Sequence, residues 1–312
     1  AARQRRMLHR ILVPLDGSEI AAKALVQAGR LLKGPETDVI LVRVVETGGL
    51  DPVHSAAVTP RLRLEASDYL ARLKNDLVRS GIKARPVVGE GLAWEQIVDV
   101  ARREEATLIV MTSHGRTGLA RWVLGSVAEK VIRSSRIPVL VLRSFETGAT
   151  GLESAVPGVE LAFHKLLVPV DGGDLSLAAL EPAARVAHVF GASVVLVQVE
   201  SRFDYPPGTF MSRLVDPPKV SPGLLPADPA RRLDHAGEWL AARGLTVTTL
   251  RVGGDAASRI VDLPRELGAD LIVMATHARA GLTRFILGSV AEKVLRHSEL
   301  PLLIIPPPDP RA

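Results

Sequence analysis

The chain contains no cysteine, so neither a disulfide framework nor a thiolate nucleophile is available to it. No apolar run approaches the roughly 18 residues of a spanning helix, and no membrane partner is expected. No G-x-x-x-x-G-K-[S/T] stretch occurs, which argues against a P-loop ATPase. Gly115-x-x-Gly118 lacks the earlier Gly and the position after strand one that a dinucleotide fingerprint requires. The eight His show no metal-ligand spacing, so no metal site is assigned. No Ser–His–Asp order recurs, and no catalytic residue is named. Aromatics make up only 4%. A net charge of +5 raises the question of nucleic acid, but that reading wants basic charge gathered on one face beside aromatics. Here the Arg residues are scattered along helices, and no nucleic-acid partner is expected. The opening "AARQRRMLHR" is basic without a small-residue cleavage site, and reads as a mature cytoplasmic N-terminus rather than a signal peptide.

What is present is a duplication. The octapeptide "LGSVAEKV" stands at Leu124–Val131 and again at Leu287–Val294. Around it, "LIVMTSHGRTGLARWVLGSVAEKVIRSSRIPVLVL" answers "LIVMATHARAGLTRFILGSVAEKVLRHSELPLLII". Upstream, "RILVPLDGSE" answers "KLLVPVDGGD", and "VILVRVVE" answers "VVLVQVE". The copies keep one order, so a whole domain has been doubled. At 312 residues and 47% apolar composition the chain can build two cores. The domains are read as 1–145 and 164–312, joined by a Gly-, Ser- and Pro-rich linker at 146–163.

Within the first copy, short apolar runs alternate with amphipathic segments. The pattern predicts strands at Ile11–Pro14, Val39–Val45, Ala84–Val88, Leu108–Thr112 and Val139–Leu142. It predicts helices at Ser18–Lys33, Pro60–Ser80, Trp94–Glu105 and Ser126–Ser134. Runs such as "LIVM" show no polar alternation, as expected of strands buried on both faces of a parallel sheet. The fold class is therefore α/β: two tandem, doubly wound, Rossmann-like domains, each with a five-stranded parallel sheet. The Pro-rich segment 201–230 breaks the symmetry and reads as a lid or an excursion.

In such sheets ligands sit beyond the carboxyl ends of the strands, where strand order reverses. Pro14 and Pro169 close strand one, and Asp16 and Asp171 follow in the turn. Two readings of these Asp residues stand: ligand contact, or shaping the turn and capping the helix. After strand four, a Gly-punctuated loop carrying Arg116 and Arg121 ends at Gly125-Ser126, where a helix begins. Free N–H groups and the helix dipole make that end an anion site, and Gly lets the backbone approach a phosphate or take positive φ. Ser126-Val-Ala-Glu129 and Ser289-Val-Ala-Glu292 also fit an S-x-x-E capping box, which accounts for Ser and Glu without a ligand. His114 and His277 share a place in the loop and either stabilise the turn or touch phosphate.

With these motifs the chain resembles the universal stress protein family in its tandem two-domain form. The family's mark is G-x-x-G, nine residues, then G-[S/T], with an Asp after strand one. The resemblance covers nearly the whole chain. It implies a flavodoxin-like fold, a pseudo-dimer of the two copies with their last strands, Pro138–Leu142 and Pro301–Ile305, paired antiparallel, and room for a homodimer. It also implies a cytoplasmic stress-response protein that is not an enzyme and binds ATP, or ADP or AMP, with Mg²⁺ as counter-ion.

Carried across residue by residue, Asp16 would meet the ribose and the Val44 backbone the adenine edge. Thr112, Gly115, Gly125, Ser126 and Val127 would surround the phosphates, with Pro14 and Met111 completing the set. The second copy offers Pro169, Asp171, Val199, Met274, Ala275, Ala278, Gly288, Ser289 and Val290. The first motif Gly is replaced in both copies, by Thr112 and Ala275, and the second survives only as Gly115. Ser18 is likewise Gly173 in the second copy. The phosphate grip is expected to be weaker there. The expected role is a sensor or adaptor whose nucleotide-dependent surface is read by a protein partner. The alternatives are a slow ATP hydrolase, and an interaction module that has lost nucleotide.

Overall fold

A computed structural model of the chain describes residues 8–18, 21–22, 25, 31, 37–46, 52–113, 124–143, 162–200, 211–214, 229–276 and 287–307. The chain divides into two compact units, Ala1–Leu161 and Ala162–Ala312.

The first unit contains β1 (Arg10–Pro14), β2 (Asp38–Val45), α1 (Pro52–Arg79), β3 (Lys83–Glu90), α2 (Ala93–Arg103), β4 (Leu108–Thr112), α3 (Ser126–Ser134) and β5 (Val139–Leu142). Its strands lie in the order β3-β2-β1-β4-β5, and every pair is parallel. The chain moves outward from β1 on one side, then returns to build the other. The order therefore reverses beside β1, between β2 and β4. Ile11, Leu12, Ile40, Leu41, Leu108 and Ile109 have essentially no solvent exposure. Each such side chain contributes about 1.5–3 kcal/mol of burial. Ala21, Ala22, Leu25 and Leu31 are helical and buried, and the remainder of the expected Ser18–Lys33 helix lies outside the described residues.

Helix α1 departs from expectation. Pro60 was the predicted first helical residue, because Pro is favoured there. Instead the helix begins at Pro52 and carries Pro60 inside it. Among the described side chains, its buried stripe is Ala66, Leu70, Leu73 and Leu77, in the later turns. The earlier turns leave no periodic apolar signature in the sequence, and the local signal of a proline outweighed them.

The second unit contains β6 (Lys165–Pro169), α4 (Asp174–Leu177), α5 (Leu180–Phe190), β7 (Ser193–Glu200), β8 (Met211–Leu214), α6 (Pro229–Ala241), β9 (Val247–Gly253), α7 (Ala256–Leu267), β10 (Leu271–Ala275), α8 (Ser289–His297) and β11 (Leu302–Ile305). The order is β11-β10-β6-β7-β9-β8. Five strands repeat the parallel scheme, with Leu166 in register with Val194 and Leu271. The sheet also gains a sixth strand that the sequence did not suggest: β8 runs antiparallel on β9, pairing Arg213 with Thr249. It comes from within the Pro-rich segment. Phe163 is buried just before β6 and meets the Phe190 ring edge-on at 4.8 Å.

The two outer strands are finished differently. In the first unit β3 is the edge, and its Pro86 has no N–H to offer a further strand. The corresponding residue of β9 is Thr249, and there an added strand covers the edge.

Candidate functional site

Because the strands around β1 are parallel, their carboxyl ends share one rim of the sheet. Pro14 ends β1, Val44 lies near the end of β2, and Thr112 ends β4, with Met111 buried before it. The chain then reaches Gly115, which lies outside the described residues, as do Arg116, Gly118, Arg121 and His114. It returns at Leu124, and the Gly125 N–H donates to the Ser113 carbonyl at 2.7 Å. This bond ties the start of α3 to the end of β4, next to β1.

Gly125 is the N-cap of α3, with φ −60° and ψ 144°, and no side chain caps it. The Glu129 N–H donates to the Gly125 carbonyl at 2.9 Å. Ser126 is thus the first helical residue, and the expected capping box is overturned. The motif stands one residue too late: the Glu129 carboxylate pairs with Arg133 at 3.0 Å. The second unit repeats this, with Gly288 as N-cap, no side-chain cap, and Glu292 paired with Arg296 at 3.2 Å. Gly125 does not take positive φ either. A Cβ there would lie 3.0 Å from the Ser113 carbonyl oxygen, so close backbone approach accounts for the glycine. Ser126 and Val127 follow in the first turn, as Ser289 and Val290 do in α8. That turn keeps the partial positive charge of a helix N-terminus.

Asp16 does shape its turn. Its Oδ1 accepts from the Ser18 N–H at 2.9 Å and the Ser18 hydroxyl at 2.6 Å. The Ser18 Oγ in turn accepts from the Ala21 N–H at 3.2 Å. Asp16 Oδ2 has no hydrogen bond among the described residues. In the second unit the Gly173 N–H donates to Asp171 Oδ1 at 2.7 Å, and Ser176 brings the hydroxyl to the turn instead, accepting from the Asp171 N–H at 3.2 Å. Pro169, Val199, Met274 and Ala275 occupy the matching strand ends. Ala278 and His277 lie outside the described residues.

The structure adds residues that sequence reasoning missed. Arg43, beside Val44 on β2, stacks its guanidinium 5.0 Å from the centroid of the Tyr69 ring. Burial pushes the Tyr69 hydroxyl's pKa up, as does the nearby charge of Asp16, while Arg43 and Arg72 oppose the shift. Arg43 becomes Gln198 in the second copy, a difference visible in "LVRV" against "LVQV". A hollow of about 650 Å³ between α1 and β3 is lined by Thr59, Pro60, Arg63 and Val88, away from Asp16 and Gly125. Among the described residues, no group of His, Asp or Glu could hold a metal ion, and no helix is long and apolar enough to cross a membrane.

Two doubly wound units, each with an Asp turn after its first strand and an uncapped helix start after its fourth, define a tandem Rossmann-like protein. The chain belongs to the universal stress protein family, whose profile matches residues 7–143 and 162–306. A universal stress protein of Methanocaldococcus jannaschii is 34% identical over 138 residues, 43% of this chain and 81% of that protein. One of Mycobacterium tuberculosis is 29% identical over 202 residues, 64% of this chain and 62% of its own length. The structure of a universal stress protein from Archaeoglobus fulgidus matches with a TM-score of 0.71 at 22% identity, covering 96% of this chain and 98% of that one. That likeness shows the fold.

Proposed function

We propose that the protein binds ATP, or ADP or AMP, with Mg²⁺ as counter-ion, and acts as a sensor or adaptor rather than as an enzyme. The observation that carries this reading is the uncapped start of α3, tied to the end of β4 beside the Asp16 turn. An anion placed there would meet first-turn N–H groups that the N-cap glycine, having no side chain, does not cap. Asp16 keeps Oδ2 for a ribose hydroxyl while Oδ1 holds the turn, so its structural and ligand roles coexist. Val44 lies one strand away from Asp16, within the width of a nucleoside. Pro14, Met111, Thr112, Gly115, Gly125, Ser126 and Val127 complete the proposed first site.

The second site would use Asp171, Val199, Ala275, Ala278, Gly288, Ser289 and Val290, and would bind more weakly. Nucleotide would order the rim loops and so change a surface that a protein partner reads. Equilibrium binding of Mg²⁺–ATP to the purified chain tests the reading, with at least one site per chain expected. No binding at millimolar nucleotide would leave an interaction module. Steady phosphate release over hours would make it a slow hydrolase.

A further inference from the structure

Arg43 is half-buried, yet it makes no hydrogen bond or ion pair among the described residues; its one contact of that kind is the Tyr69 ring. The guanidinium is also held in place from a second side. Gly17 has φ +86°, in the left-handed region, and a Cβ built on it would lie 2.9 Å from Arg43 Nη2. The Tyr69 hydroxyl is out of solvent and has no hydrogen-bond partner either. A cation with no hydrogen-bond or ion-pair partner among the described residues therefore lies beside the turn that carries Asp16. A guanidinium so placed is open to an incoming anion.

Strand order says which anion. Arg43 lies on β2, on one side of β1, whereas Gly125 and the uncapped helix start follow β4 on the other. Strands are spaced about 4.8 Å apart, so β2 and β4 are separated by roughly twice that. A 5′-phosphate gathered at Gly125 lies across β1 from the strand that carries Arg43, whereas the hydroxyl edge of a ribose held at Asp16 lies on the side of Gly17, against which the guanidinium rests. Resting on the nucleotide reading above, we infer that Arg43 is a specificity-determining residue of the first unit, selecting adenine nucleotides with a phosphate on the 2′ or 3′ oxygen of the ribose. Arg43 takes that phosphate and Asp16 the remaining hydroxyl. The second unit has Gln198 at this position and lacks the selection.

The test is calorimetric titration of the full chain with AMP, adenosine 2′,5′-bisphosphate and adenosine 3′,5′-bisphosphate. The wild type binds one bisphosphate about tenfold more tightly than AMP, the size expected of a charge-assisted contact. Arg43→Gln abolishes that preference and leaves AMP binding within about twofold, while Arg43→Lys retains part of it. A wild type that binds AMP and both bisphosphates equally overturns the inference but not the nucleotide reading. So does a preference that survives Arg43→Gln. A wild type that binds none of the three removes the nucleotide reading, and the inference with it.

Discussion

Both units set a guanidinium against the turn after their first strand, but they deliver it from different elements. In the first unit it is Arg43, from β2, lying against Gly17 and Tyr69. In the second it is Arg232, from α6, donating to the Gly172 carbonyl at 2.8 Å and to Asp174 at 3.0 Å. Arg232 has exchanged places with an aromatic, since Tyr69 occupies its position on α1, and Arg43 has become Gln198. Among the described residues one cation makes no hydrogen bond or ion pair, while the other is engaged by the protein itself. Gln198 is buried, with an amide oxygen that has no hydrogen-bond partner among the described residues. The duplicated chain has thus kept its strands and changed the polar residues at the rim, where a change of charge alters binding at little cost to the core.

The strongest way to break this comparison is through the core, where the units should behave alike. Leu12→Ala and Leu167→Ala remove matching side chains, each with no exposure. Each should cost about 2–5 kcal/mol, read from urea unfolding. If one cost far more than the other, the common frame would be a likeness of shape only. The binding comparison comes next. Asp16→Ala should weaken nucleotide binding by about 1.5–3 kcal/mol in titration calorimetry, and Asp171→Ala by less. Equal losses would make the sites equivalent.

Gly125→Ala should cost about 1 kcal/mol or more, because the new Cβ must push the Ser113 carbonyl aside; the melting temperature reads it. Thr249→Pro, which copies Pro86 into the second unit, should cost about 1 kcal/mol by weakening the hold of β9 on β8. Pro86→Thr should leave stability within about 0.5 kcal/mol.

The smallest expected effect is one of pH. Arg85 hydrogen-bonds Glu104 and holds its carboxyl below the usual value of about 4.5. A lowered folded-state pKa contributes stability that is present above the unfolded value and is lost as pH falls through the folded one. The first unit should therefore lose a little stability as pH drops below about 4.5, and Glu104→Gln should remove that loss. The side chains are partly exposed, so the effect is screened. Leu267 stands at the matching place in the second unit, so the contribution of this one pair has no counterpart there.

Much of this frame was legible in the residues. Runs such as "LIVM" are apolar because both faces are covered, and the α3 and α8 bounds follow from apolar spacing in "SVAEKV". The early turns of α1 were not legible, because their residues carry no periodic apolar pattern in the sequence and a proline lies within them. Strand β8 was hidden among prolines, because its place is set by the open edge of β9 rather than by its own pattern. The capping box misled because Ser and Glu keep their spacing whether the helix starts at Ser126 or one residue after. Only the backbone of Gly125 decides. At the site, Asp16 could be picked out by its neighbours in sequence, but Arg43 could not. Its meaning depends on Gly17 and Tyr69, which only folding brings to it.

The bond between Gly125 and Ser113 gives the rim an unusual tolerance. It joins Ser113, after β4, to Gly125, before α3, by a hydrogen bond of 2.7 Å, so the end of the strand and the start of the helix are fixed to each other directly. Lengthening a loop whose ends already meet costs only a fraction of a kcal/mol per few residues. Strand and helix thus hold their relative place through this bond, without relying on the residues that join them. Amide exchange makes this visible at one atom: the Gly125 proton should stay slow however the intervening stretch is rewritten.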